Sequence, residues 1–201
     1  MIKKLLLILI TLIVLMNCVS AIDSSNWTTA TVGYEEFKIP PQYENPYSSD
    51  FDLYEFDEDI DVFSIRYVNP RIMELYGYFI EHYSTMKKVK VSGHDAVFFS
   101  KFDRHDDKNK SILWFSSGEE FYYITWHGNK ITPTIKEVIK SCSKSKYSHK
   151  EFYKILNEEY QNYKIINSIE NSQGYDYPSK DSGPHSFVSV GTNGFGFGII
   201  N

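Results

Sequence analysis

The sequence predicts an α+β fold, a single domain built on an antiparallel β-sheet with helices packed on both faces. Three observations carry this. Aromatic residues are abundant, with 16 Tyr and 14 Phe, and both types favour the pleated, half-buried surface of a sheet. Short alternating runs bounded by turn residues recur between residues 36 and 126, the pattern of strands. Three other segments place apolar residues at three- and four-residue spacing, the pattern of amphipathic helices. A chain of 201 residues, 42% hydrophobic and 23% charged, can bury a real core and is not compositionally disordered.

The N-terminus comes first in order. Met1-Ile2-Lys3-Lys4 is a short basic start, Leu5 to Met16 is apolar apart from Thr11, and Val19-Ser20-Ala21 supplies small residues. That is the layout of a secretory signal peptide cleaved after Ala21. Two other readings stay open. An uncleaved anchor would need about 20 apolar residues, and Asn17 interrupts the run early. Lipid attachment at Cys18 would use Leu15-Met16-Asn17-Cys18, with Asn17 where a small residue is expected. Each reading places the rest of the chain outside the cytoplasm, secreted or held on the outer face of the cytoplasmic membrane.

Residues 22–33 are small and polar and read as a linker. The globular domain is expected over 34–170. Glu36-Phe37-Lys38-Ile39 alternates as a strand does, and Pro40-Pro41 ends it. Residues 44–50 read as a loop. Phe51 to Phe56 and Val62 to Val68 read as strands around an acidic turn. Asn69-Pro70 suits a helix start, and Ile72, Leu75, Tyr76, Phe79, Ile80 and Tyr83 share one face of a helix over 69–86. Gly77 is its weak point. Ala96 to Phe102 reads as a strand, residues 103–110 as a charged loop, and 112–115 with 121–126 as a hairpin with a four-residue turn. Thr132-Pro133 starts a second helix with Ile135, Val138, Ile139 and Cys142 inward. Ser148-His149-Lys150-Glu151 fits a capping box and starts a third, with a stripe of Phe152, Leu156, Tyr160, Tyr163 and Ile166. Residues 171–201 form a Gly/Ser-rich C-terminal tail. In it Ser186 to Val190 alternates like a strand, and Gly194, Gly196 and Gly198 weaken any continuation.

The order of a strand ending in Phe37-Lys38-Ile39-Pro40, a hairpin, a helix, a strand opened by Gly93-His94-Asp95-Ala96, a second hairpin and a short helix ending near Ser141 resembles the PsbP-like fold. The resemblance covers residues 34–142. It implies an antiparallel sheet with helices on both faces and an accessory, partner-binding role among small exported proteins. It carries over no catalytic residue.

Charge narrows the partners. Losing Lys3 and Lys4 with residues 1–21 leaves 21 − 2 = 19 basic against 26 acidic residues, a formal charge of −7. Nucleic acids and anionic membrane surfaces attract clustered positive charge, so neither is an expected partner. The membrane is met only through the N-terminal segment. Residues 35–61 hold ten acids and one Lys, a strongly negative stretch suited to a cationic partner or to protecting a sheet edge.

The chemical motifs are sparse, and no metal or cofactor is expected. Asp57, Asp59 and Asp61 alternate, but Val62 and Val68 stand where a calcium loop needs Gly and Glu. His105 lies among carboxylates in 103–107, where adjacent loop residues point apart. No phosphate-binding Gly-rich loop and no nucleophile elbow are present. Cys142 is the one cysteine left after cleavage, so it cannot form an internal disulfide. Asn26-Trp27-Thr28 and Asn109-Lys110-Ser111 match the glycosylation sequon, both in expected loops. The first expectation is therefore an exported, non-enzymatic module that binds a protein or cell-surface partner. The alternative is a small extracytoplasmic hydrolase with a site around His94, Asp95 or Cys142.

Overall fold

The computed structural model describes residues 22–58, 61–70, 72–104, 107–172, 185–191 and 194–200. The expected signal peptide, Cys18, Asp59, His105 and residues 173–184 lie outside them. No described helix is long and apolar enough to cross a membrane.

The strands are β1 (Thr28–Val32), β2 (Glu35–Ile39), β3 (Ser48–Asp50), β4 (Leu53–Glu58), β5 (Asp61–Val68), β6 (Thr85–Val91), β7 (His94–Asp103), β8 (Lys108–Ser117) and β9 (Glu120–His127). Helix α1 (Leu75–His82) lies between β5 and β6 in the chain. Helices α2 (Pro133–Ser141) and α3 (His149–Ser172) follow β9, and β10 (His185–Gly191) and β11 (Gly194–Ile200) end the chain. The fold is α+β. Its centre is a seven-stranded antiparallel sheet in the order β3-β4-β5-β9-β8-β7-β6. Two runs of neighbours, β3-β4-β5 and β6-β7-β8-β9, meet at the β5–β9 seam, where Phe63 faces Trp126 and Val68 faces Phe121. The described residues divide into two compact units, one ending at Lys164 and one beginning at Ile165. The second contains the β10–β11 hairpin.

The central strands read as continuous apolar runs because alternate residues join two different cores. In β9 every residue from Phe121 to Trp126 is buried. Tyr122, Ile124 and Trp126 belong to one cluster with Phe37, Phe63 and Phe115, and with Ile135, Val138 and Ile139 of α2. Phe121 and Tyr123 belong to the other, with Phe99 and Trp114, Phe79 of α1 and Phe152 of α3. Burying a side chain of this size contributes roughly 1.5–3 kcal/mol.

Several expectations are corrected. The supposed linker carries β1: Thr28-Thr29-Ala30-Thr31-Val32 is rich in β-branched residues, and Val32 is fully buried. The expected loop over 44–50 ends in β3. The helix expected over 69–86 is shortened to α1. Consecutive burial of Ile72 and Met73 fits a turn, not a helical stripe, and the amides of Ile72 and Leu75 donate three residues back, to Asn69 and Ile72. Leu75 is half-buried, while Tyr76 and Phe79 are buried and Glu81 is exposed. Gly77 marks close packing. A Cβ there would lie 2.2 Å from Tyr163 Cγ, closer than any real contact. Half of the charged loop over 103–110 is strand: Asp103 ends β7, Lys108 to Lys110 begin β8, and Asp103 faces Lys108. The β8–β9 turn has two residues, since Ser117 faces Glu120. Gly194 to Gly198, expected to weaken a strand, lies in β11, paired along its length with β10.

Candidate functional site: an exposed aromatic pair

The site is made by two short turns. Register Val32↔Glu35 leaves Gly33-Tyr34 as the β1–β2 turn. Register Asp50↔Leu53 leaves Phe51-Asp52 as the β3–β4 turn. The two are tied together where the Gly33 amide donates to the Phe51 carbonyl at 2.5 Å. Gly33 has φ +60°, and a Cβ there would lie 2.8 Å from the Tyr67 ring. Both the backbone and the space therefore require glycine. On the other side, the Tyr67 amide donates to the Asp52 carbonyl at 2.9 Å.

This geometry stands two aromatic rings in solvent. Tyr34 is 68% exposed and Phe51 58% exposed, whereas Tyr67 beneath them is 8% exposed. Tyr34 meets Phe51 edge to face at 5.4 Å and Tyr67 at 5.6 Å, and Phe51 meets Tyr67 at 5.9 Å. Such contacts contribute about 0.5–1.5 kcal/mol each, enough to bias the rings toward one arrangement. The Tyr67 hydroxyl donates to Glu120 Oε2 at 3.1 Å. Burial, reinforced by that carboxylate, pushes the phenol up to about 12. The Tyr34 amide donates to the Tyr122 hydroxyl at 3.3 Å. Asp50 and Asp52 flank Phe51 in sequence, and Asp50 is exposed, so the Phe51 side of the site is acidic.

The residues suggested for hydrolysis are each held by other partners. His94 is buried, and its Nδ1 lies 2.9 Å from the Ser116 carbonyl. A carbonyl only accepts, so Nδ1 carries the proton and the ring is held as a core group. Asp95 is the next residue along β7, so its side chain leaves the opposite face of the strand. It accepts from His149 Nδ1 at 2.9 Å. Cys142 is buried, and its thiol donates to the Ile139 carbonyl at 3.0 Å. Burial pushes that thiol up to about 12, although a hydrogen bond with Ser117 works the other way. A nucleophilic cysteine requires the opposite shift.

Among the described residues no three of His, Cys, Asp and Glu converge as a metal would need. Asp57 is exposed on β4. Asp61 accepts from the Tyr43 hydroxyl at 2.8 Å and lies 3.8 Å from His127 Nδ1. Of the two sequons, Asn26 is exposed in a turn, and Trp27 beside it is buried. Asn109 lies on β8 and not in a loop, and the Ser111 hydroxyl of its sequon donates to the Gly128 carbonyl at 2.6 Å.

Sequence reasoning missed Tyr34 and Phe51. The available signal was an aromatic residue inside a two-residue turn. Seeing it required recognising β1 and β3 as strands.

No family model and no curated protein matches the chain. Among solved structures, a Pseudomonas aeruginosa protein of unknown function, PA94, aligns over 57% of this chain and 94% of its own. The identity is 9% and the TM-score 0.31, too loose a likeness to inform fold or function.

Proposed function

We propose that this chain is an exported, non-enzymatic module that binds a protein or cell-surface partner through Tyr34 and Phe51. The observation that carries the reading is two large rings held in solvent at fixed geometry by a buried third. Exposed aromatics on a preorganised support are the residues that dominate interfaces, because they bury much area at little entropic cost. The acidic Phe51 side selects a partner with basic groups beside an apolar contact. In this reading the apolar N-terminal segment is removed after Ala21 or holds the chain on the outer face of the membrane. The α+β domain packs its helices on both faces of the sheet, as in PsbP-like accessory proteins. Asn26, not Asn109, takes a glycan where the host attaches one.

The test replaces Tyr34 with a photo-crosslinking amino acid in the full chain expressed in its own cells, and identifies adducts by mass spectrometry. A defined partner is expected. The Phe51→Ala variant of the same protein should lose that adduct at an unchanged melting temperature. Equal adduct yield with and without Phe51 would remove the aromatic pair from the interface.

A further inference from the structure

The two edges of the seven-stranded sheet carry opposite charge. At one edge, among the described residues, β3 pairs only with β4, and it covers only Leu53 to Glu55 of that strand, leaving Phe56 to Glu58 with β5 as their one paired strand. Residues 48–58 contain Asp50, Asp52, Glu55, Asp57 and Glu58 and no base. At the other edge, among the described residues, β6 pairs only with β7. Its seven residues, Thr85 to Val91, contain Lys87, Lys88 and Lys90 and no acid. All three lysines are exposed, as are Asp50 and Asp57. Among the described residues, these lysines make no ion pair. Lys88 Nζ lies over the Tyr153 ring at 4.5 Å.

We propose that a second copy of this chain is the partner of both edges: β6 of one copy lies along β3 and the open end of β4 of the next. An uncovered edge presents unpaired N–H and C=O groups that template pairing with another strand. Charge of any sign on an edge discourages this, and protecting a monomer requires nothing more. Here the signs are arranged. Two β6 edges repel each other, as do two β3–β4 edges, because like charges opposite one another are destabilising. The β6 edge and the β3–β4 edge attract. The only pairing favoured is head to tail, a heterologous contact that extends into a row of copies instead of closing as a symmetric dimer. This edge adjoins the Phe51-Asp52 turn and shares Asp50 and Asp52 with its acidic side, but the test below reads only contact between copies, so its failure leaves the Tyr34–Phe51 reading standing.

Two populations of the full chain carry donor and acceptor dyes, with one copy per lipid nanodisc so that the apolar N-terminus cannot drive contact. Energy transfer is expected at low salt and should be lost at about 0.5 M salt, where the screening length falls well below the ~10 Å of 0.1 M. K87E/K88E/K90E, whose edges are both acidic, should lose transfer when alone. D50K/D52K/E55K/D57K, whose edges are both basic, should lose it as well. Mixing the two variants should restore it. Circular dichroism melts of each variant establish that the sheet is intact. Absent transfer in the unsubstituted chain, transfer retained by either variant alone, or failure of two folded variants to restore it when mixed would each overturn the proposal. A chain that captures other acidic or basic proteins but never itself would show that the edges serve foreign partners.

Discussion

Phe79 shows how far one residue can be read in each direction. It is buried against Phe99, Trp114 and Tyr123 at 5.6–5.9 Å, and its place on the inward face of a helix is legible from spacing alone. Phe79→Ala should cost about 3–5 kcal/mol in denaturant unfolding. A loss the size of a surface substitution would contradict the packing. Cys142 was legible as an inward residue by the same spacing, but its chemistry depends on neighbours distant in sequence. With the thiol pushed up to about 12, iodoacetamide at neutral pH should leave Cys142 unmodified in the folded chain and alkylate it fully after unfolding. Peptide mapping separates it from Cys18. Rapid modification of the native protein would revive the nucleophile. Tyr34 and Phe51 were not legible, because nothing local tells an exposed ring in a turn from a core ring in a strand.

The two helices after β9 were readable from local punctuation, whereas Asn69-Pro70 does not start α1, which begins at Leu75. In α2 the Thr132 hydroxyl accepts from the Ile135 amide at 3.2 Å, Pro133 occupies the first helical position, and Ile135, Val138, Ile139 and Cys142 are buried as their spacing requires. At the start of α3 both bonds of the capping box form. The Glu151 amide donates to Ser148 Oγ at 3.3 Å, and the Ser148 amide donates to Glu151 Oε2 at 2.9 Å. Ser148→Ala should cost about 1 kcal/mol and speed hydrogen exchange in the first turn of α3. Unchanged protection there would mean that packing of Phe152 alone fixes the helix start. By contrast β1, β3 and β6 were hidden or shortened, since each is defined by a partner strand. Thr85 and Met86 continue the helical spacing of α1, yet they pair with Ser100 and Phe99. Tertiary pairing there overrides local propensity.

At the scale of the whole molecule, tyrosines set the alkaline limit. Burial pushes Tyr67 and Tyr76 up to about 12, with Glu120 adding to the first and Tyr153 to the second. It also raises Tyr43, Tyr83 and Tyr122, further still. An unfolded phenol ionises near pH 10, so above that the unfolded chain sheds protons that the folded chain keeps. Stability should therefore hold up to about pH 10 and fall as pH rises towards about 12. Tyrosinate absorbance should appear together with loss of the circular dichroism signal. Smooth ionisation of these phenols in a protein that stays folded would contradict their burial. The C-terminal residues form their own unit from Ile165, so ending the chain after Asn171 should leave the melting temperature of the sheet nearly unchanged. A fall of several degrees would make the tail part of that fold.

The seam between β5 and β9 sets an order of events. Each strand from β6 to β9 pairs with its neighbour in the chain, so that half of the sheet can zip through successive short hairpins. The β5–β9 ladder instead joins Val68 to Phe121, closing a loop that contains α1 and three strands. Closing a long loop costs more conformational entropy than forming a hairpin, and non-local pairing slows folding. The four-stranded half should therefore acquire amide protection first, with β4 and β5 arriving as a second, slower phase. Until they arrive, β9 is itself an edge, and its run from Phe121 to Trp126, broken only by Thr125, is an aggregation-prone surface held open to water.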